Sequence, residues 1–348
     1  MNRRRLWISF IVLGFVLLIS IVFAASIGSA SLSMGDSFKI LLSRIPVIQH
    51  FISLEGIKPN YETIVWNIRI PRILLAALSG GSLALVGVCF QGLFRNPLAD
   101  PQIIGVSSGA ALGATIAVLS GISVSFLGLG AIGIFAFLGA VLTVLTVYYI
   151  SCHGNRAPVV YIILTGTAIS SMLTAVISFL MSIQREQLEK IYMWTLGSFS
   201  SATMTKVLFL FVFFMVCSIV IVFFAKDLDL ILTGEETALS LGVDTSKVKK
   251  FLIIIASVLV AACVSVCGTI GFVGLIIPHA VRLLSGPKHS RLMPLSSLVG
   301  AIFLIWCDTI ARTVRAPGEL PVGVVTALCG APYFIFLLMR AKKKGGVI

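Results

Sequence analysis

The sequence has few charged residues. Only 11% of its 348 residues are charged and 58% are hydrophobic, whereas soluble domains average roughly 25% charged residues. A water-soluble fold could not bury so much apolar surface, so hydrocarbon must be the solvent of this chain. The net charge of +13 comes from basic residues that flank apolar runs, which is typical of membrane boundaries and not of a nucleic-acid-binding face.

Several motifs that carry chemistry are also missing. The chain has no Gly-x-x-x-x-Gly-Lys-Ser/Thr loop for ATP and no His-Glu-x-x-His metalloprotease motif. Its seven cysteines form no Cys-x-x-Cys pair and give no sign of a zinc site or a disulfide framework. We therefore predict no catalytic residue and no metal ligand. The nearest to an intramembrane acid is Asp308, close to one end of its apolar run, so the mid-membrane ionisable groups of ion-coupled carriers are lacking.

Apolar runs long enough to cross a bilayer recur along the whole chain. A spanning helix needs about 20 mainly apolar residues. The candidate spans are 6–27, 73–94, 103–122, 126–150, 159–183, 207–224, 251–267, 268–284, 295–311 and 320–339. By hydropathy alone, 103–150 and 251–284 could each be one helix or two, with breaks at Gly121–Ser125 and Gly268–Gly271. The predicted fold class is all-α, a polytopic membrane protein of about ten transmembrane helices in one domain, 1–348.

Ten spans place both termini on the same side of the membrane. With the N-terminus inside, sixteen of the 26 basic residues lie inside, which agrees with the positive-inside rule. The remaining ten lie outside and include Arg69, Arg72 and Arg312. Of the two long loops, residues 28–68 form an extracytoplasmic segment and residues 225–250 lie inside.

The inside loop 225–250 carries the signals of a short helical hairpin. Glu235 and Glu236 would stand in the first turn of a helix, where the dipole favours acids. Gly242 suits a left-handed C-terminal stop, and Asp244 to Ser246 can cap the next membrane helix. These caps indicate either a docking element for a soluble partner or merely an ordered loop.

Hydroxyl side chains recur in the run 159–183 at steps of four, three, four and four, which places them on one helix face. They are Thr167, Ser171, Thr174, Ser178 and Ser182. Such a stripe either lines a water-filled pathway or forms hydrogen bonds across a helix interface or to its own carbonyls. A ridge of Gly105, Gly109 and Gly113 predicts close helix packing.

Eight segments in order resemble one family, the FecCD-type permeases of ABC importers for cobalamin, haem and ferric siderophores. The resemblance covers about residues 65–340. The segments are Arg69-Ile-Pro-Arg72, Gln91 to Pro101, Gly105 to Ala110, Trp194 to Ser198, Gly234 to Gly242, Gly271 to His279, Glu319 to Gly323 and Gly330 to Pro332.

This resemblance implies a partner assembly in the cytoplasmic (inner) membrane of a prokaryote. It implies a second permease subunit, as homodimer or heterodimer, around a central pathway. Two cytoplasmic ABC ATPase subunits would bind ATP and Mg, and an extracytoplasmic substrate-binding protein would deliver the cargo. The chain itself would bind no cofactor.

The resemblance also assigns roles to residues. ATPase coupling falls to Gly234, Glu235, Glu236, Ala238, Leu241 and Gly242. Receptor docking falls to Arg69, Arg72 and Arg312, expected as an exposed cationic collar in which Arg312 can also pair with Asp308. The hydroxyl stripe would line the translocation pathway, and residues 152–158 would form an inner gate. The alternatives are a self-sufficient secondary transporter and, less well supported, a membrane enzyme.

Overall fold

The computed structural model describes residues 3–28, 33–44, 57, 59–152, 158–315 and 318–343. The chain is mainly helical over these ranges, with one short hairpin of β1 (Ser125–Phe126) and β2 (Leu129–Gly130) in antiparallel register. The helices are α1 (Arg3–Ser26), α2 (Met34–Leu42), α3 (Pro59–Thr63), α4 (Ile70–Leu93), α5 (Val106–Ser120), α6 (Ala131–Ser151), α7 (Val159–Ile183), α8 (Leu188–Thr195), α9 (Met204–Phe223), α10 (Ala225–Thr233), α11 (Glu235–Ser240), α12 (Thr245–Cys267), α13 (Val273–Ser285), α14 (His289–Thr313) and α15 (Val322–Lys343). A π-helical segment, Ile64–Arg69, joins α3 to α4, and 3-10 turns occupy Pro101–Ile104 and Arg185–Gln187.

Seven helical stretches are long and apolar enough to cross a membrane, namely α1, the continuous stretch Pro59–Leu93, α6, α7, α9, α12 and α14. Three shorter apolar stretches are α5, α13 and Val322–Leu337 of α15. Each of these overlaps one of the ten predicted spans. For the described part of the chain, the prediction of an all-α polytopic membrane protein is confirmed, with seven helices that meet the length criterion and three shorter ones at the remaining predicted spans.

Both ambiguous stretches contain two helices. α5 is followed by Gly121 at φ 65° and α12 by Gly268 at φ 74°, and a residue with positive φ after the last turn ends a helix. The predicted breaks are therefore confirmed. α12 begins at Thr245, six residues before the predicted span at 251, because its charged first turns lower the local hydropathy.

α4 is the central helix of the bundle. In its most apolar window 83% of the residues are buried, compared with 17% for α1 and 11% for α7. α4 packs against α14, α13, α12 and α9, while α1, α7 and α9 leave broad faces uncovered within this chain. Such faces are available to lipid or to another subunit.

The predicted glycine ridge lies at the contact of α5 with α6. A Cβ atom at Gly113 would lie 2.0 Å from the carbonyl oxygen of Phe135, and one at Gly109 would lie 2.2 Å from Thr143 Oγ1. Only glycine permits this approach, so close packing is confirmed there. Gly105 instead stands at φ 82°, before the first residue of α5.

Two predicted regions are described only in part. Within the segment 28–68, residues 29–32, 45–56 and 58 lie outside the described residues. Its described part contains α2, α3 and most of the π-helical segment. Of the predicted inner gate 152–158, residues 153–157 lie outside the described residues.

Candidate functional site

At one end of the bundle, called here the hairpin end, α10 and α11 form the predicted helical hairpin. Gly234, at φ 144°, joins them, and Glu235 and Glu236 lie in the first turn of α11. Gly242 stands at φ 87°, its N–H donates to the Leu239 carbonyl at 3.0 Å, and the Val243 N–H donates to the Ala238 carbonyl at 3.0 Å. This pair of hydrogen bonds is the Schellman motif, so the predicted left-handed stop is confirmed.

The hairpin is fixed to the start of α12. The Asp244 side chain accepts a hydrogen bond from the Lys247 N–H at 3.1 Å and pairs with its ammonium at 3.0 Å. Hydrogen bonds from Lys247 lower the pKa of Asp244. Glu235 forms an ion pair of 2.5 Å with Lys249. The predicted cap at Asp244 is confirmed, and the two pairs hold α11 in place against α12.

The surface of the hairpin is partly apolar. Ala238 is fully buried, where it packs with Ile231 and Val243. Leu239 and Leu241 are 52% and 60% exposed. The capped hairpin therefore presents two exposed leucines, and its docking role remains a prediction.

Sequence reasoning missed the residues that attach α10 to the bundle. His289, at the start of α14, is fully buried, and its Nδ1 lies 2.7 Å from Asp229 Oδ1. The His289 N–H also donates to Asp229 at 2.9 Å, and Arg95 donates to the Ile231 carbonyl at 2.6 Å. Burial alone would raise the pKa of Asp229, but the hydrogen bonds from His289 lower it. The sequence did show an acidic residue among the apolar positions of α10, but its partner, His289, lies 60 residues later in the chain.

At the opposite end, called here the arginine end, the three predicted arginines converge. Arg69 donates to the carbonyls of Ala25 and Ser26 at 2.6 and 3.1 Å. Arg312 donates to the carbonyl of Ala24. Both guanidinium groups therefore satisfy open carbonyls at the C-terminus of α1 and complement its dipole.

Arg72 is held by two carboxylates. Its Nε and Nη2 bind Asp308 at 2.9–3.0 Å, and its Nη1 binds both oxygens of Glu319 at 2.8 and 2.9 Å. The predicted pair of Arg312 with Asp308 is present at 3.9 Å. Glu319 begins the family-like segment Glu319 to Gly323, but the sequence predicted no role for it. The available signal was an acidic residue between α14 and α15, soon after the end of the helix that carries Arg312.

The expectation of an exposed arginine collar is wrong for this structure. Arg69, Arg72 and Arg312 are 4%, 7% and 7% exposed. Their side chains bond to α1, α14 and Glu319 instead of pointing into solvent, because an isolated cation at a membrane boundary is stabilised by carbonyls and carboxylates within reach. Receptor docking by these residues remains a prediction.

The hydroxyl stripe of α7 lies on an exposed face. Each hydroxyl donates to a carbonyl three or four residues earlier in α7, at 2.7–3.0 Å. In the described part of the chain none of them bonds to another helix. Bonding to the helix's own carbonyls is thus observed, and the role of the exposed face remains a prediction. The stripe consists of Thr167, Ser171, Thr174, Ser178 and Ser182.

Among the described residues, no group of three or more His, Cys, Asp or Glu side chains is placed to hold a metal ion. The described residues carry three other features. They offer a capped hairpin at one end, a buried arginine–carboxylate cluster at the other and a polar helix face between them.

Comparison with known proteins agrees with this arrangement. A sequence profile of the FecCD transport family matches residues 16–340. The cobalamin import system permease protein of Halobacterium salinarum is 43% identical over 283 residues, covering 81% of this chain and 75% of that protein. The hemin transport system permease protein of Yersinia pestis is 35% identical over 342 residues, with coverages of 96% and 97%.

A further permease and a solved structure are also similar to this chain. The molybdate import system permease protein of Haemophilus influenzae is 37% identical over 332 residues, with 95% of each chain covered. A solved structure described as an inward-facing conformation of a metal-chelate type ABC transporter superposes with a TM-score of 0.81 at 34% identity, covering 97% of this chain and 100% of that one.

The fold and these similarities define a multi-pass membrane permease of the ABC type. The chain belongs to the FecCD transport family.

Proposed function

We propose that the chain is the transmembrane permease subunit of an ABC importer that moves a metal chelate inward, driven by ATP hydrolysed on a separate subunit. The observation that carries the proposal is the α10–α11 hairpin. It is capped at Gly242 and Asp244, anchored through Asp229, and exposes apolar side chains. A rigid projection of this kind can pass a partner's movement to the helices to which it is anchored.

The proposed assembly contains two copies of a cytoplasmic ABC ATPase, which bind ATP and Mg, and a second permease subunit, identical or homologous. An extracytoplasmic substrate-binding protein delivers the cargo. The assembly lies in the inner membrane of a prokaryote, with both termini of this chain inside. The hairpin end then faces the ATPases and the arginine end faces the binding protein.

The pathway is proposed to run along α7. Five hydroxyls recur on one exposed helix face, and a second permease subunit facing them would enclose a polar passage. α9 has no comparable hydroxyl stripe, and its exposed residues are mainly large and apolar, as in Leu208, Val212, Val216 and Ile219. We assign α9 to lipid and α7 to the subunit interface.

Two of the relatives support the proposed cargo class. Two of the similar permeases are named for cobalamin and hemin, which favours a metal chelate such as cobalamin, haem or a ferric siderophore. The molybdate permease is similarly identical to this chain, so uptake of molybdate must be measured beside uptake of the chelates.

The test is uptake into proteoliposomes that contain this permease with its ATPase and binding protein. Radiolabelled cobalamin, haem, a ferric siderophore and molybdate are compared, with and without ATP. We expect accumulation of one metal chelate only with ATP, and none with an ATPase whose catalytic carboxylate is removed. Uptake driven by an ion gradient without the ATPase would establish the alternative, a self-sufficient secondary transporter.

A further inference from the structure

Arg72 binds its two carboxylates through separate parts of the guanidinium group. The Nε and Nη2 atoms face Asp308, at 2.9–3.0 Å, while Nη1 alone holds both oxygens of Glu319. All of the guanidinium nitrogens are thereby engaged. A third carboxylate can reach Arg72 only by replacing one of the two that are present.

The two carboxylates differ in how easily they can be replaced. The Asp308 side chain is 2% exposed and also faces Arg312 at 3.9 Å. The Glu319 side chain is 41% exposed. Removing a buried partner leaves an uncompensated charge, whereas a partly exposed pair is weak and is readily exchanged with other ions. Of the two, Glu319 is therefore the exchangeable ligand.

Glu319 is attached to a segment that connects distant helices. The next residue, Leu320, donates its N–H to the Ala311 carbonyl of α14 at 2.9 Å. Val322 and Gly323, at the start of α15, donate to the carbonyls of Gly197 and Leu196 at 3.0 and 3.1 Å, just after α8. The residues that follow Glu319 are thus joined by backbone hydrogen bonds to α14 and to the turn after α8.

The same segment borders a cavity. Its volume is about 820 Å³, and its lining includes Trp194, Lys206, Glu319 and Leu320. A shift of residues 319–321 would change the wall of this cavity. The Arg72–Glu319 ion pair, the backbone hydrogen bonds of residues 320–323 and the cavity therefore lie next to one another.

We propose that Glu319 is a resident competitor for Arg72, which a carboxylate of the docked substrate-binding protein displaces, so that residues 318–323 are released and move with α15 and the end of α8. This rests on the proposed function, in which the arginine end receives the binding protein. The exchange replaces one ion pair with another and leaves Asp308 in place. Arg72 can therefore be buried in the free permease and still serve as a docking residue.

The test compares E319Q with wild type in nanodiscs that contain the full permease–ATPase complex. Affinity for the substrate-binding protein is measured at low salt, together with basal ATP hydrolysis. Without its competitor, Arg72 should bind the receptor roughly two- to fivefold more tightly, the range that a partly exposed ion pair supports, and basal hydrolysis should rise. The control is E189Q, which removes one negative charge from α8, where Glu189 is exposed and forms no hydrogen bond or ion pair with the described residues.

A further variant, R72Q/E319Q, should lose the gain in affinity, because the residue for which the carboxylates compete is gone. Equal or weaker binding by E319Q, or the same gain in E189Q, would overturn the exchange while leaving the importer assignment intact. An E319Q protein that fails to assemble would also overturn it, since exchange requires the cluster to survive without Glu319. If the wild-type complex binds no receptor, the exchange and the proposed docking fail together, while ATP-driven uptake still tests the importer itself.

Discussion

Buried polar side chains join helices that are far apart in the sequence. His289 and Asp229 connect the first turn of α14 to α10 across 60 residues. Arg72 connects α4 to Asp308 and Glu319, which follow it by 236 and 247 positions in the sequence. In an apolar bundle, each such contact is directional, whereas the apolar contacts around it are not. These few residues therefore fix how the ends of the helices meet.

We expect Asp229→Ala to destabilise the permease by about 1–3 kcal/mol, because it leaves two donors of the buried His289 region without their acceptor. Thermal unfolding of the purified complex in detergent measures the effect. The matched control is Asp227→Ala, two residues earlier in α10, whose carboxylate forms no hydrogen bond or ion pair with the described residues. Equal melting shifts in the two variants would contradict the role given to Asp229.

The same contact has a defined dependence on pH. The pKa of Asp229 is lowered in the folded protein, so its contribution to stability is complete above the unfolded pKa of about 3.9. The contribution is lost as the pH falls through the lower, folded pKa. In Asp229→Ala the loss of stability on acidification should be correspondingly smaller.

For individual side chains, the sequence predicted positions but not contacts. It identified Arg69, Arg72 and Arg312 and placed them together, since all three are at helix ends assigned to one side. It could not predict their burial, because local spacing offers only partners within the same helix, such as Asp308 for Arg312. The carbonyls of α1 and the carboxylate of Glu319 become available only through tertiary packing.

Elements with local signals were predicted well. The hairpin α10–α11 and the cap of α12 depend on contacts between residues fewer than six positions apart, as at Gly242 and Asp244. The reason is physical: a positive φ and a capping side chain are properties of a short stretch of chain. The ion pair of Glu235 with Lys249 spans 14 residues and was not predicted.

Gly242 offers a clean test of the hairpin. A Cβ there would meet nothing within 4 Å, but φ is 87°, so substitution acts through backbone strain alone. Gly242→Val should cost roughly 1–2 kcal/mol locally and weaken co-purification with the ATPase, while membrane insertion is retained. Gly242→Asn, which tolerates this conformation better, should retain most of the binding. Normal ATPase docking by the valine variant would contradict the coupling assignment.

The stripe on α7 makes a prediction about water. In a cysteine-free background, Ser171→Cys and Ser178→Cys should react with a charged, membrane-impermeant thiol reagent, because their face borders the proposed polar passage. Leu208 and Val216 on α9 are also exposed in the isolated subunit, but cysteines at these positions should not react, since they face lipid. Equal labelling of both helices would remove the distinction between a pathway face and a lipid face.

For the whole molecule, hydropathy predicted where the apolar helices lie in the sequence but not how they are arranged. The windows of α4 and α7 have similar mean hydropathies, 2.2 and 1.9, yet 83% of one and 11% of the other is buried. Hydrocarbon accepts an apolar side chain whether it touches lipid or protein, so hydropathy does not separate central from peripheral helices. The small residues of α4, which permit close approach, carry more of that information.

The last prediction concerns the orientation of the chain. Arg185 and Lys247 are both exposed, and the helices between them are α8, α9, α10 and α11. α8 has eight residues, about 12 Å at 1.5 Å per residue, which is too short to cross, and α10 and α11 are also short. Only α9 can span the roughly 30 Å hydrocarbon core, so the two positions must lie on opposite sides.

The excess of basic residues then assigns the sides. The positive-inside rule places residue 247 and the hairpin in the cytoplasm and residue 185 outside. In intact cells, an impermeant thiol reagent should label Arg185→Cys in a cysteine-free background. It should label Lys247→Cys only after the membrane is opened. Labelling of both from one side would contradict the span of α9, whereas the reverse pattern would keep the fold, place the hairpin outside and rule out an ATPase as its partner.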